Sequence, residues 1–590
     1  MKNGYNNYDK SPEIRIEGAA HPVCVGYDEI VDALRQRIRK DKWVLVLDAY
    51  PGVNLDEVTR GLDGLGISER FCSETVMISS QQYLNAIRDT LTEDRVFGRM
   101  SDWTLSKLLD DAAVDALREK INAIQSGVVL VYGVGASLIT RGDVHIYADM
   151  ARWEIQNRFK AGMANFHTDN ADAPFLSKFK QGYFVEWRMA DRHKASVMQK
   201  IDYLLDTHTP LMPKMITGDD FRMALRTAAK RPFRLVPYFD PGVWGGKWIE
   251  QVCDLEPRAD NYAWCFDGVP EENSLYLRIG DARIEIPAMD LVLYCPQALL
   301  GERVFEQFGA EFPIRFDFLD TMQGGNLSLQ VHPTASYIKE HFGMNYTQDE
   351  SYYILDCEAD GCVYLGLKPK IDKQEMISAL QQAQNGKAFD VQKYVNKLPV
   401  RPHDHFHIPA GTVHCSGRNA MVLEISATPY IFTFKLYDWN RLGLDGLPRP
   451  IHIEHGAAVI CWERDTDWVM ENLVDQQKVL QTDKHMCEEY TGLHQLEFIE
   501  TRRHTFDETV WHDTNDSVNV LNLVEGEEAE IFSPNDAFPP FTVHYAETFI
   551  VPGMIGRYGV RPTTKSKGQT LKTIKAYIRT ESFSERRKHV

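Results

Sequence analysis

The sequence predicts a multidomain protein. An N-terminal α/β layer built on a parallel sheet is followed by a mainly β unit of antiparallel barrels with one helical insertion. Three observations lead there. Strand-like and helical stretches alternate as far as Lys160, the pattern of a parallel sheet with crossover helices. From Pro232 to Gly246 the chain turns dense in Pro, Gly and aromatics, and short β-type runs closed by Gly and Pro turns follow. Near the C-terminus, Phe549-Ile550-Val551-Pro552-Gly553 echoes Phe406-His407-Ile408-Pro409-Ala410, as an internal repeat does.

Residues 1–20 are polar and read as a loose arm. A helix is expected over 27–40, with Ile30, Leu34 and Ile38 on one face. Residues 43–47 read as a strand, 56–65 and 104–125 as helical, 127–132 and 144–148 as strands, and 151–160 as a helix. The stretch 49–56 sits where a phosphate-binding loop follows a strand. The order of elements looks like a nucleoside-kinase-type P-loop domain. Such a loop needs a Lys to hold phosphates, however. Here there is none, and Asp56 brings the wrong charge. Gly133-Val134-Gly135 is a lone Gly-x-Gly. Residues 21–228 are therefore expected to form a degenerate α/β domain, a scaffold that turns over no nucleotide.

The second unit is expected over 229–464, with strands at 274–279, 282–286, 314–319 and 430–437. Met376, Leu380 and Ala383 mark a helical insertion within 372–398. A third unit, 465–590, has strands at 518–524 and 541–545.

The net charge of −19 argues against binding nucleic acid or an anionic membrane, because phosphate backbones need basic surface. It leaves room for an anionic small substrate in a local basic pocket. The ten cysteines form no Cys-x-x-Cys pair and read as reduced thiols of a cytoplasmic protein. Neither a signal peptide nor an apolar run long enough for a membrane span is visible.

The chemistry concentrates between Gly324 and Gly417. Gln330 and His332 are two apart in an apolar run, so on a strand they share a face, about 6–7 Å apart. Glu350 opens the next strand-like run, and His414 follows a Pro-Ala-Gly turn. One amide oxygen, two imidazoles and one carboxylate make an N/O site for zinc or a similar divalent ion, with coordination positions left for water or substrate. His403, His405 and His407 alternate nearby and would share one strand face; a surface or supporting role is the stronger reading for them.

Taken together, these motifs resemble the class I mannose-6-phosphate isomerases, which are zinc-dependent cupins with jelly-roll barrels. The resemblance runs from about Pro237 to Gly456, with weaker echoes to the C-terminus. It is carried by Val243-Trp244-Gly245-Gly246, Leu327-Ser328-Leu329-Gln330-Val331-His332-Pro333, Tyr353-Ile354-Leu355-Asp356, Ile408-Pro409-Ala410-Gly411-Thr412-Val413-His414 and Leu436-Tyr437-Asp438-Trp439-Asn440-Arg441. It implies a double cupin in which Gln330, His332, Glu350 and His414 hold one Zn2+ per chain, and a sugar phosphate as substrate. In the C-terminal copy Arg557 stands where His414 stands, so that barrel is expected to be metal-free. The expected activity is interconversion of mannose 6-phosphate and fructose 6-phosphate. The alternatives are a non-catalytic or regulatory sugar-phosphate-binding protein, or a cupin enzyme such as an epimerase. The candidate catalytic residues are Gln348, Lys435 and Arg441. Two of them depart from the family: Gln348 stands where the family has Lys, and Lys435 where it has Arg. A Gln cannot transfer a proton, and Lys lacks the bidentate fork of Arg. The oligomeric state is left open.

Overall fold

The computed structural model describes residues 5–258, 260–427, 432–492 and 497–579. The chain divides into two units. One is Glu13–Ala228 with Ser274–Cys295; the other is Met1–Pro12, Ala229–Asn273 and Pro296–Val590.

The first unit is built on a seven-stranded sheet in the order Cys24–Val25, Lys214–Thr217, Tyr203–Asp206, Val144–Asp149, Lys42–Ala49, Gly127–Gly133, Ile67–Cys72. The last five are parallel, and Lys214–Thr217 runs antiparallel beside them. The central strand Lys42–Ala49 is almost wholly buried because it is a continuous apolar run covered on both faces. Val44, Val46, Val129 and Val131 pack against Val114, Leu117 and Ile121 of the helix Asp111–Ala123. The loop after the central strand leads into the short helix Leu55–Gly61, capped by the Asn54 side chain. Gly52 in that loop has φ +110°, and a Cβ there would lie 2.8 Å from Ile155. The space above the loop is thus filled by an apolar side chain. We expect no hydrolysis of Mg-ATP or Mg-GTP by the full chain; turnover above buffer in a phosphate-release assay would refute this.

The strands Ser274–Ile279 and Ala282–Pro287 form where the sequence predicts, yet not in the β unit. Ser274–Ile279 pairs in parallel with Glu13–Ile16, and both strands belong to the α/β unit. Strand propensity gave their positions but not their partner. Polar anchors fix the returning segment: Lys194 Nζ donates to both oxygens of Asp149 at 2.8 Å and to Asp290 at 2.9 Å, all three buried. Removing one partner of a buried charge network typically costs about 3–5 kcal/mol. Lys194→Met is therefore expected to lower the unfolding free energy of this unit by about that much. An unshifted denaturant midpoint would show the network to be neutral.

The second unit carries two pairs of sheets. In the first pair, a six-stranded sheet orders His405–Ile408, Glu350–Cys357, Ala420–Ser426, Arg315–Asp320, Trp264–Gly268 and Tyr238–Asp240. Its five-stranded partner orders Val395–Pro399, Cys362–Leu367, His414–Ser416, Leu329–Val331 and Phe434–Tyr437. The expected strand over 430–437 is seen at Phe434–Tyr437; residues 430 and 431 lie outside the described residues. The helical insertion is Lys373–Gln384, with Met376, Leu380 and Ala383 buried. The C-terminal pair is a six-stranded and a four-stranded sheet. They share one core, in which Phe506, Leu521 and Leu571 meet Ile531, Val543 and Val560.

Two sequence expectations shift here. Arg557 is exposed, with its guanidinium over the Trp511 ring, while the buried Tyr558 takes the inward position. His414 is buried at the start of its own strand, whereas Arg557, at the start of the matching strand, is exposed. The histidine trio also does not lie on one strand. His403 precedes it, with φ +74°. Instead the three imidazoles fasten neighbouring segments: His403 to Tyr353 and Glu525, His405 to Ser351, His407 to the Thr491 carbonyl. No helix among the described residues is long and apolar enough to cross a membrane.

Candidate metal centre

Gln330 and His332 share a face at the end of Leu329–Val331, and Gln330 lies directly opposite both His414 and Lys435 on the flanking strands. Glu350 opens a strand of the facing sheet. The sandwich therefore brings all four predicted ligands together. The turn that delivers His414 is tied to the strand that delivers His332, because Gly411 N–H donates to the His332 carbonyl at 2.9 Å. Gly411 has φ +88°, and a Cβ there would lie 2.5 Å from Cys461 Sγ, so the turn tolerates only glycine.

His332 Nε2 lies 3.1 Å from Glu350 Oε2, and His414 Nε2 lies 2.8 Å from Glu350 Oε1. His332, Glu350 and His414 are wholly buried. Each imidazole donates Nδ1–H to a backbone carbonyl, His332 to Phe432 and His414 to Thr412, both at 2.8 Å. That bond fixes the tautomer and turns both Nε2 lone pairs inward, as in metal-binding histidines. Acceptors then face acceptors: His332 Nε2 and Glu350 Oε1 are buried with no hydrogen-bond donor. Such an arrangement is stable only with a cation at its middle, a proton or a metal. Burial opposes charge on both groups. The two imidazoles nonetheless hold the Glu350 carboxyl well below its ordinary value, and Glu350 raises His332. The donor atoms of the three residues lie within 4.8 Å of one another and suit a divalent ion. Gln330 Nε2 is 3.2 Å from His414 Nε2; turning its amide over would present the oxygen instead.

Gln348 is buried beside the ligands. Its Nε2 donates to Glu350 Oε2 at 2.8 Å and to Glu424 Oε1 at 3.3 Å, and its Oε1 accepts Phe432 N–H at 3.1 Å. It thereby orients the ligand carboxylate. Lys435 shares the face of Gln330. Burial, reinforced by Arg449 and opposed by Asp438, lowers its ammonium to about 7. Arg441 Nη2 donates to Asp438 Oδ1 at 2.6 Å, and Arg449 Nη1 reaches both Asp438 oxygens at 3.0 and 3.1 Å. Asp438 also accepts from Ser328 at 2.8 Å. Sequence reasoning did not single out the cluster of Asp438 and Arg449 beside Arg441. The signal available was one acid and two arginines clustered around a Gly-rich loop.

Comparison with known proteins finds relatives over part of the chain. Mannose-6-phosphate isomerase ManA of Bacillus subtilis (strain 168) is 30% identical over 152 residues, 26% of this chain and 45% of that protein. A mannose-6-phosphate isomerase of Streptococcus mutans serotype c is 30% identical over 151 residues, 25% of this chain and 44% of that protein. The chain thus spans about half the length of the curated relatives it matches. The crystal structure of the mannose 6-phosphate isomerase from Bacillus subtilis superposes with a TM-score of 0.48 at 18% identity, covering 59% of this chain and 99% of that one. Residues 26–230 match a family described as Domain of unknown function (DUF8485). A segment of this chain is therefore similar to mannose-6-phosphate isomerases, and its α/β unit to a family of undefined role.

Proposed function

We propose that this chain is a zinc-dependent aldose–ketose isomerase that interconverts mannose 6-phosphate and fructose 6-phosphate in the cytoplasm. The observation that carries the reading is the pair of tautomer-locked imidazoles converging on Glu350, with a cationic group, Lys435, on the same face. Gln330, His332, Glu350 and His414 would hold the ion. When bound, a divalent ion acts as a Lewis acid that stabilises negative charge on the sugar oxygens. The remaining work falls to the protein. Isomerisation moves a proton between C1 and C2 of the open-chain sugar, and needs a base titrating near neutrality. Lys435 meets that need, because its amine is in part neutral at pH 7. Arg441 and Arg449, held side by side by Asp438, offer paired donors for the phosphate. The decisive experiment is a coupled isomerase assay on the zinc-loaded full chain; no turnover at enzyme concentrations that consume substrate with a true isomerase would reject the reading.

One observation favours a second reading, a non-catalytic sugar-phosphate sensor. Gln348 stands at a position of the family's proton chemistry, yet its amide is neither an acid nor a base near neutrality and is engaged with Glu350, Glu424 and the Phe432 N–H.

A further inference from the structure

The α/β unit contains a cleft of 960 Å³ that plays no part in the site above. It opens between residues 16–25, the start of the strand Lys214–Thr217, and the turn of the hairpin at 279–283. Its polar lining includes His21, Lys214, Arg278 and Arg283 with Glu29 and Asp281. Acids just outside the lining pair with these groups: Asp220 with His21, Asp206 with Lys214, and Glu13 with Arg278 and Arg283.

The donors of these groups are unequally committed. Arg278 is spent: it holds both Glu13 oxygens, at 2.6 and 2.7 Å, and the Asp281 carbonyl at 2.8 Å. Glu29 is spent as well, its carboxylate accepting Val25 N–H at 2.7 Å. Two cations and one imidazole keep donors in reserve. Arg283 stacks on the Tyr276 ring at 4.2 Å and reaches only one Glu13 oxygen, at 3.6 Å. Lys214 Nζ has a single long contact, 3.4 Å to Asp206. His21 is anchored through Nδ1 to Asp220 at 3.1 Å, and its Nε2 has no partner among the described residues. Stacking and anchoring position these side chains in advance, so a ligand would not have to order them. A guanidinium, an ammonium and an imidazole converging on one cleft suit a dianionic oxyanion.

We propose that this cleft binds a small phosphorylated metabolite, with its phosphate on Lys214, Arg283 and His21. The volume decides between phosphate alone and phosphate carried on an organic group. At 960 Å³ the cleft falls in the range of about 300–1,000 Å³ typical of sites for whole small molecules, far larger than an inorganic ion. The inference is independent of what the cupin site does.

Calorimetric titration of the full chain tests it, with fructose 6-phosphate and inorganic phosphate as probes. The His332→Ala, His414→Ala, Arg441→Ala, Arg449→Ala background removes both the metal ligands and the phosphate donors of the cupin site. In that background fructose 6-phosphate is expected to bind, and Lys214→Ala with Arg283→Ala is expected to weaken it at least tenfold. Ala19→Glu, which places a carboxylate in the lining and leaves every ion pair intact, is expected to do the same. Inorganic phosphate is expected to bind more weakly than the ester. Equal binding of ester and phosphate, no binding in the background chain, or affinity unchanged in both cleft variants would each overturn the proposal.

Discussion

Replacing both imidazoles, His332→Ala with His414→Ala, is expected to leave the purified chain without bound zinc and without isomerase activity. The expectation follows from how the two rings are held. Each spends its Nδ1–H on a carbonyl, so neither can turn to satisfy Glu350 in another way. Removing them leaves a carboxylate in a buried site that keeps Gln348 as a donor but has lost both imidazoles. Such a carboxylate takes up a proton rather than stay charged. Elemental analysis is the direct measurement, with circular dichroism to show that the sandwich is intact. Zinc content equal to that of the wild type would place the metal elsewhere. A graded version of the same test uses Gln348→Ala. Loss of a hydrogen bond that orients a ligand typically costs about 10–100-fold in metal affinity. Gln348→Ala should fall in that range while retaining the ligand set; unchanged affinity would mean that Glu350 needs no positioning.

The legible part of this site was the part written in local spacing. Gln330 and His332 are two residues apart on one strand, and a period of two puts them on one face whatever the partner strand is. His414 was legible through its turn, since Gly411 is required both by its backbone angle and by Cys461. What joins residues far apart in the chain was not legible. The Phe432 carbonyl that sets the His332 tautomer lies a hundred residues away, and the Asp438 clamp depends on strand register. The same limit applies to the fold. The strands Ser274–Ile279 and Ala282–Pro287 announced themselves through β-branched and alternating residues. The partner of Ser274–Ile279, Glu13–Ile16, alternates Glu-Ile-Arg-Ile and buries both Ile side chains, so the loose arm expected over residues 1–20 is in part a strand; four residues inside a polar stretch were too short a run to stand out. Arg557 matches His414 in the repeat yet is exposed, because the short motif carries the turn and not the face to which the next side chain points.

Lys435→Met is expected to lower kcat by about 10²–10⁴-fold, the usual contribution of a positioned base, with little change in zinc content. Its sign with pH separates this role from a purely structural one. The ammonium titrates at about 7, lowered mainly by burial, so the neutral amine accumulates as pH rises. Wild-type kcat should therefore climb through that region and level off above it, and the methionine variant should lose the climb. Lys435→Arg tests charge against proton transfer. Arg keeps the positive charge but cannot deprotonate near neutrality, so activity should stay low if Lys435 is the base and recover if charge alone matters. The family arrangement, Gln348→Lys combined with Lys435→Arg, moves the amine to the position whose side chain now contacts Glu350. It should regain turnover that Lys435→Arg alone has lost, a gain larger than the two single effects predict, because both groups act on one proton. Full activity in Lys435→Met, or a flat wild-type profile, would assign the base to another residue. No turnover in any zinc-loaded form, the wild type included, would leave the sensor reading in its place, with Gln348 then serving only to hold Glu350.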